Sequence, residues 1–188
     1  MHIPKKGIRA FGIAESYTGR ERSVLAGVVM RKDLQIDGFS FGSVTVGGLD
    51  ATETILRMIT EMERRDLNVI LLSGCGISWF NVIDPEVIAN EVKVPVICVT
   101  YAESDGLEEE IRFHFPEDTI RLPAYRKLGE RIPADLGTGE RIFIRSWGIS
   151  NSDATRLLGD FTLEGKIPEP LRVARLCARA VSSGRNPG

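Results

Sequence analysis

The sequence predicts an α/β domain on a mixed sheet, with antiparallel strands early in the chain, parallel strands after them, and helices on both faces. Three observations carry that prediction. Residues 8–46 hold three strand-like segments separated by short polar turns. Two apolar runs, Val69-Ile70-Leu71-Leu72 and Val94 to Thr100, have the hydrophobicity of strands covered on both faces. Segments with helical spacing lie between and after those runs, which is the β–α alternation of a parallel sheet.

The first strand is Ile8 to Ala14, closing at Glu15-Ser16-Tyr17. Ser23 to Met30 is the second and Gln35 to Val46 the third. In the third, Ile36, Gly38, Ser40, Gly42, Val44 and Val46 share one parity and therefore one face. Arg31-Lys32-Asp33 is the polar turn of a hairpin or meander. Beyond Gly47-Gly48-Leu49-Asp50, the residues Ile55, Leu56, Ile59 and Met62 fall at helical spacing, opposite Glu61, Glu63, Arg64 and Arg65. The run Val69 to Leu72 leads into Ser73-Gly74-Cys75-Gly76. Asp84-Pro85-Glu86 starts a short helix, with the acid as N-cap and proline at the first helical position. Residues 104–138 read poorly and offer a charged helix from Gly106 to Phe113 and a second around Tyr125 to Gly129. A strand from Arg141 to Arg145 follows, then helices over Ser152 to Leu158 and Leu171 to Ser182, and residues 183–188 read as a frayed tail.

Composition bounds the function. A chain of 188 residues fits one domain with a full core. The formal net charge of −2 provides no global field toward nucleic acid or membrane, although local basic patches remain open. Cys75, Cys98 and Cys177 are odd in number and form no Cys-x-x-Cys pair. With His2 and His114 as the only histidines, they do not make a zinc site. No stretch approaches the roughly 20 apolar residues of a membrane span. The first residues lack the apolar core of a signal peptide, so a cytoplasmic protein is expected.

The strand order fits a ribonuclease H-like sheet and several nucleotide-binding layouts equally well. Short motifs narrow the choice. Lys166-Ile167-Pro168-Glu169-Pro170-Leu171-Arg172-Val173-Ala174, preceded by Ser146-Trp147-Gly148-Ile149-Ser150, resembles the tail of endonuclease V. It resembles more closely an uncharacterised archaeal protein family remotely similar to that enzyme. Gly47-Gly48-Leu49-Asp50-Ala51-Thr52 and Phe80-Asn81-Val82-Ile83-Asp84 point to the same archaeal family. With Gly12-Ile13 and Pro95-Val96-Ile97-Cys98-Val99, the matches run from about residue 8 to 181. The resemblance implies a ribonuclease H-like fold and a metal-dependent phosphodiesterase ancestor that cuts beside deaminated adenine.

Such chemistry requires carboxylates that hold Mg²⁺ near the scissile phosphate. On the resemblance, the first-strand acid falls on Ala14, with Glu15 beside it, and the acid ahead of the first helix falls near Asp50. The acid after the buried strand falls on Ser73, the lysine after the next strand on Tyr101, and the late histidine on Ile149. Glu15 and Asp50 are the candidate metal ligands, with Mg²⁺ or Mn²⁺ as the ion if they converge. Asp50-Ala51-Thr52-Glu53 also reads as a capping box, and that reading is the stronger one.

Ser73, Gly74, Cys75, Gly76 and Asn81 are candidates for binding a ligand or anion, through turn N–H groups and a loop amide. Close packing is the competing explanation for the small residues. Arg172, Arg175 and Arg179 form a basic stripe on the last helix that fits a nucleic-acid backbone or a solvated face. Trp79 and Phe80 read as core residues first and as base-stacking residues second. No residue stands out as catalytic. The sequence therefore favours a relative of endonuclease V that has lost the parent activity and binds nucleic acid or a phosphate-bearing ligand. Two alternatives stand beside it, a metal-dependent endonuclease using Glu15 and Asp50, and a structural or protein-interaction module.

Overall fold

The computed structural model describes residues 7–17 and 21–184. Its centre is a seven-stranded sheet in the order β3-β2-β1-β4-β7-β9-β8. The strands β1 (Arg9–Ser16), β2 (Arg22–Arg31) and β3 (Ile36–Thr45) form the expected antiparallel meander. α1 (Ala51–Glu61) crosses over to β4 (Val69–Ser73), which pairs parallel to β1. A small hairpin, β5 (Gly76–Ile77) with β6 (Asn81–Val82), precedes α2 (Pro85–Val92) and β7 (Val96–Thr100), the latter parallel to β4. Next come α3 (Glu108–His114), α4 (Arg121–Lys127), β8 (Ile132–Asp135) and β9 (Arg141–Trp147). β9 runs antiparallel to both β7 and β8. α5 (Asn151–Asp160) and α6 (Glu169–Gly184) complete the fold.

Strand alternation splits the core into two layers. Phe11, Ile13, Ile70, Leu72, Val96 and Cys98 face α1 and α2, where they meet Ile55, Met58 and Ile88. Ala10, Val69, Leu71, Ile97 and Val99 face the other way, onto Leu157, Leu158 and Leu171 of α5 and α6. α6 approaches β1 and β2 through small residues, with Ala174 in one cluster with Ala14 and Val28, and Ala178 in another with Val24 and Ala26. The approach is close: a Cβ on Gly12 would lie 2.6 Å from the carbonyl carbon of Pro170.

The strands and helices depart from the sequence reading in several places. A bulge between Val29 and Met30 shifts the β2–β3 register, so Ile36 leaves its expected face and is 47 % exposed. The strand expected from Val94 starts at Val96, after Pro95. The poorly read stretch hides β8, an edge strand that tolerates Pro133 because its N–H side needs no partner. Ser183 and Gly184 belong to α6 rather than to a frayed tail, and residues 185–188 lie outside the described residues. No helix among the described residues is long and apolar enough to cross a membrane.

Candidate nucleic-acid site at the carboxyl ends of the central strands

The register that pairs Ile13 with Leu72 and Leu72 with Cys98 brings the ends of β1, β4 and β7 side by side. On the face covered by α6, alternation presents Ala14, Ser73 and Tyr101 as neighbours. These are three positions where the resemblance expects two acids and a lysine. Arg175 reaches them from α6. Its Nη2 donates to Ser73 Oγ at 3.3 Å, and its guanidinium carbon lies 5.3 Å from the centre of the Tyr101 ring. The Tyr101 hydroxyl is buried and has no hydrogen-bond partner among the described residues. Burial pushes the phenol pKa up, while the nearby Ser73 hydroxyl and Arg175 pull the other way. The net shift is upward, so the phenol remains a neutral donor at physiological pH.

Glu15 points to the opposite face from Ala14. Its carboxylate accepts from Ser23 Oγ at 3.0 Å, from Ser78 N at 3.1 Å, and from the Ser78 hydroxyl. Asp50 sits at the start of α1. It accepts from Thr45 N at 3.1 Å, Thr45 Oγ1 at 2.9 Å and Asn81 Nδ2 at 2.7 Å. Burial raises its pKa, but the hydrogen bonds from Asn81 and Thr45 outweigh that and hold it below the ordinary value. Glu15 and Asp50 share no partner in these bonds. Among the described residues, no group of three or more His, Cys, Asp or Glu side chains could hold a metal ion.

The capping-box reading of Asp50 is corrected. Its side chain makes no cap bond, because it turns back to Thr45. Asn81, wholly buried, takes that place from another segment: its Oδ1 accepts from Ala51 N at 3.1 Å. Its Nδ2 also donates to Thr45 O at 3.0 Å, so Asn81 braces β3, α1 and β6 together. By contrast, Asp84 caps α2 as its sequence predicts, accepting from Val87 N at 3.1 Å.

In the Ser73–Gly76 turn, Gly74 has φ +90° and donates its N–H to Val99 O at 3.0 Å. Cys75 O accepts from Ile83 N at 2.8 Å, and Gly76 enters the small hairpin. The turn therefore brings the Ser73 hydroxyl to the site, while the Gly74 N–H is spent inside the sheet. Burial, followed by the adjacent Cys98, pushes the Cys75 thiol well above its usual range, which removes thiolate character. The three arginines of the stripe separate. Arg172 is tied to Glu169 at 2.6 Å, Arg175 turns into the site, and Arg179 is exposed.

Residues 78–80 form a turn that sequence reasoning missed. Ser78, Trp79 and Phe80 all have positive φ, at 44°, 61° and 60°. Trp79 is 51 % exposed, so its core assignment is also corrected. Gly47 N donates to Ser78 O at 2.7 Å, which links this turn to the residues just before Asp50. No glycine or asparagine marks the turn; tertiary bonds to Glu15 and Gly47 hold its backbone.

Comparison with known proteins identifies the family and the fold. A family model described as endonuclease dU matches residues 6–182. A UPF0215 protein from Pyrobaculum calidifontis is 40 % identical over 171 residues, covering 90 % of this chain and 94 % of its own length. A UPF0215 protein from Thermococcus kodakarensis is 33 % identical, covering 88 % and 85 %. Among solved structures, a protein of unknown function from Archaeoglobus fulgidus superposes with TM-score 0.81 at 27 % identity, over 93 % of this chain and 98 % of that one. Endonuclease V from Ciona intestinalis, bound to inosine-containing DNA, gives 0.64 at 16 % identity, over 96 % and 88 %. Human endonuclease V gives 0.65 at 17 %, over 95 % and 86 %. The sheet is thus of the endonuclease V, ribonuclease H-like kind. With a family model spanning nearly the whole sequence and archaeal relatives at up to 40 % identity, the chain belongs to the endonuclease dU family.

Proposed function

We propose that this protein binds nucleic acid carrying a deaminated base, uracil in DNA first among them, without the metal-assisted hydrolysis of endonuclease V. The observation that carries the reading is the Arg175–Ser73–Tyr101 constellation. A guanidinium, a hydroxyl and a buried phenol with no partner among the described residues form a donor set for a phosphate oxygen. An orphaned buried hydroxyl costs about 1–3 kcal/mol, and a ligand oxygen that accepts from it recovers that cost. The family description and the inosine-containing DNA held by the Ciona enzyme support a deaminated base as the feature recognised.

The fold family implies a divalent metal, and the residues at this position do not fit one. Ala14 provides no ligand, a guanidinium stands beside Ser73, and Glu15 and Asp50 accept hydrogen bonds elsewhere. A cation needs free oxygen lone pairs converging at about 2.0–2.6 Å. The family description favours a second reading, metal-dependent incision at deoxyuridine; Glu15 and Asp50 are the acids that reading would use.

One experiment separates the two. Labelled oligonucleotides containing a single deoxyuridine, a single deoxyinosine or neither are titrated with protein at low salt, then incubated with Mg²⁺ or Mn²⁺. The expected result is tighter binding of deoxyuridine strands, no nick, and a loss of about tenfold in affinity in Arg175→Ala, equivalent to ~1.4 kcal/mol. A metal-dependent nick that disappears in Asp50→Asn would establish the second reading instead. Lack of any binding at low salt rejects both. Tyr101→Phe provides an independent check with opposite signs. The free protein gains about 1 kcal/mol of stability because an orphaned hydroxyl is gone. DNA affinity falls in the same variant. A lower melting temperature for the free variant would mean that the hydroxyl is already satisfied.

A further inference from the structure

We propose that the rings led by Trp79 form a stacking platform for an unpaired nucleobase; this rests on the nucleic-acid reading above. The indole leans on His114 with centroids 4.8 Å apart, and Phe80 lies beside it at 5.7 Å. Phe80 in turn stacks on His114 at 5.8 Å and meets Phe115 edge-on at 6.0 Å. Phe113 extends the row, T-shaped to His114 at 4.9 Å. The outer rings of this array face water: Trp79 is 51 % exposed and Phe113 is 78 % exposed. The inner end is fixed by the Arg121 guanidinium, 4.1 Å from the centre of the Phe115 ring.

The backbone beneath Trp79 is held in a disfavoured form by polar groups from β1 and from the residues after β3. Three consecutive residues with side chains at positive φ persist only where their surroundings over-determine them. Glu15 provides that hold through Ser78 N at 3.1 Å and the Ser78 hydroxyl, and Gly47 N adds a bond to Ser78 O at 2.7 Å. Glu15 and Ser73 also line one small pocket at the ends of β1 and β4. Glu15 is thus a positioning residue for the Trp79 turn.

The occupant follows from shape and charge. A flat ring offers its π-face to any base, whatever the sequence. The nearby cation is Arg22, half-exposed, whose Nη1 donates to Thr45 Oγ1 at 3.2 Å and lies 4.0 Å from Asp50 Oδ2. Thr45 lies two residues before Gly47, and a Cβ on Gly47 would touch the Trp79 ring at 3.4 Å. A half-exposed guanidinium next to exposed rings is the pairing that a single strand with splayed bases recognises.

The test titrates a fluorescein-labelled single-stranded 12-mer with one deoxyuridine, read by anisotropy and by tryptophan emission. The chain has two tryptophans, Trp79 and Trp147. Binding is expected to quench the wild-type emission and to leave that of Trp79→Phe nearly unchanged. Trp79→Ala should bind about tenfold or more weakly, in line with one stacked base, and Trp79→Phe should recover most of the affinity. Because stacking is sequence-tolerant, the loss should be equal with and without deoxyuridine. Wild-type affinity in Trp79→Ala, or full quenching in Trp79→Phe, overturns the platform. If Arg175→Ala loses binding while Trp79→Ala does not, the platform alone fails. If wild-type protein binds no strand at low salt, the nucleic-acid reading fails and the platform fails with it.

Discussion

Gly12→Ala is expected to destabilise the protein by about 3 kcal/mol, near the upper end of what a single added methyl does in a packed core. The added carbon would meet Pro170 at 2.6 Å from both its carbonyl carbon and its Cβ, and at 2.8 Å from its oxygen. Two of those atoms are backbone at the start of α6, so no side-chain rotation relieves the overlap. The helix must shift as a body away from β1, and it buries Leu171, Ala174 and Ala178 along its length. For a chain of this size the melting temperature should fall by about 6–12 °C in thermal denaturation followed by circular dichroism. Arg175 lies on the same helix, so the folded variant should also bind DNA less well than wild type. Gly159→Ala is the control. That residue is in α5 with nothing within 4 Å of an added Cβ, and the change should stabilise by about 0.5–1 kcal/mol through helix propensity. Equal melting temperatures for Gly12→Ala and wild type would show that α6 is not seated on Gly12.

The same contact shows why the site differs from what a list of lost acids suggests. Close seating of α6 brings Arg175 over Ser73 and Tyr101, so this position holds a cation with two hydroxyls. On the nucleic-acid reading proposed above, neutral donors beside a cation favour an anion such as phosphate over a metal ion. Much of this was legible in the chain. The apolar run at Val69 to Leu72 gave the buried strand, because both of its faces are covered and every residue had to be hydrophobic. Asp84-Pro85 gave the start of α2 because capping there is local. The unread features depend on partners far apart in sequence. Glu15 bonds to Ser78 across 63 residues, and Asn81 caps α1 from 30 residues away. β8 was unreadable because an edge strand with only Ala134 buried carries no hydrophobic pattern. Spacing placed three arginines on one stripe, but only the position of Ser73 under the helix decides that Arg175 turns inward.

Asn81→Ala is expected to cost about 3 kcal/mol, combining a buried amide left without its partner and a cavity. Asn81 is wholly buried, and its loss leaves the Ala51 N–H, at the start of a helix and itself buried, with no acceptor. It also removes the 2.7 Å bond to Asp50 that helps hold that carboxylate ionised. A pH series distinguishes these two contributions. In wild type the folded pKa of Asp50 lies below its ordinary value, so its stabilisation is present above the unfolded pKa and is lost as pH falls through the folded one. Asn81→Asp keeps the volume and the acceptor for Ala51 but sets a second carboxylate against the first. One of the two acids must then titrate above the ordinary carboxylate range. This variant should be least stable near neutral pH and regain stability as pH falls toward about 5, the opposite slope from wild type. Thermal melts of the three proteins across that range give the answer. Parallel curves for Asn81→Asp and wild type would mean that the Asn81–Asp50 bond does not hold in solution. Because Thr45 and Asp50 flank Gly47, which bonds to Ser78, loosening Asn81 should also release the Trp79 turn. Amide exchange at residues 78–80 should therefore accelerate in Asn81→Ala together with exchange at the first turn of α1, since one side chain braces both.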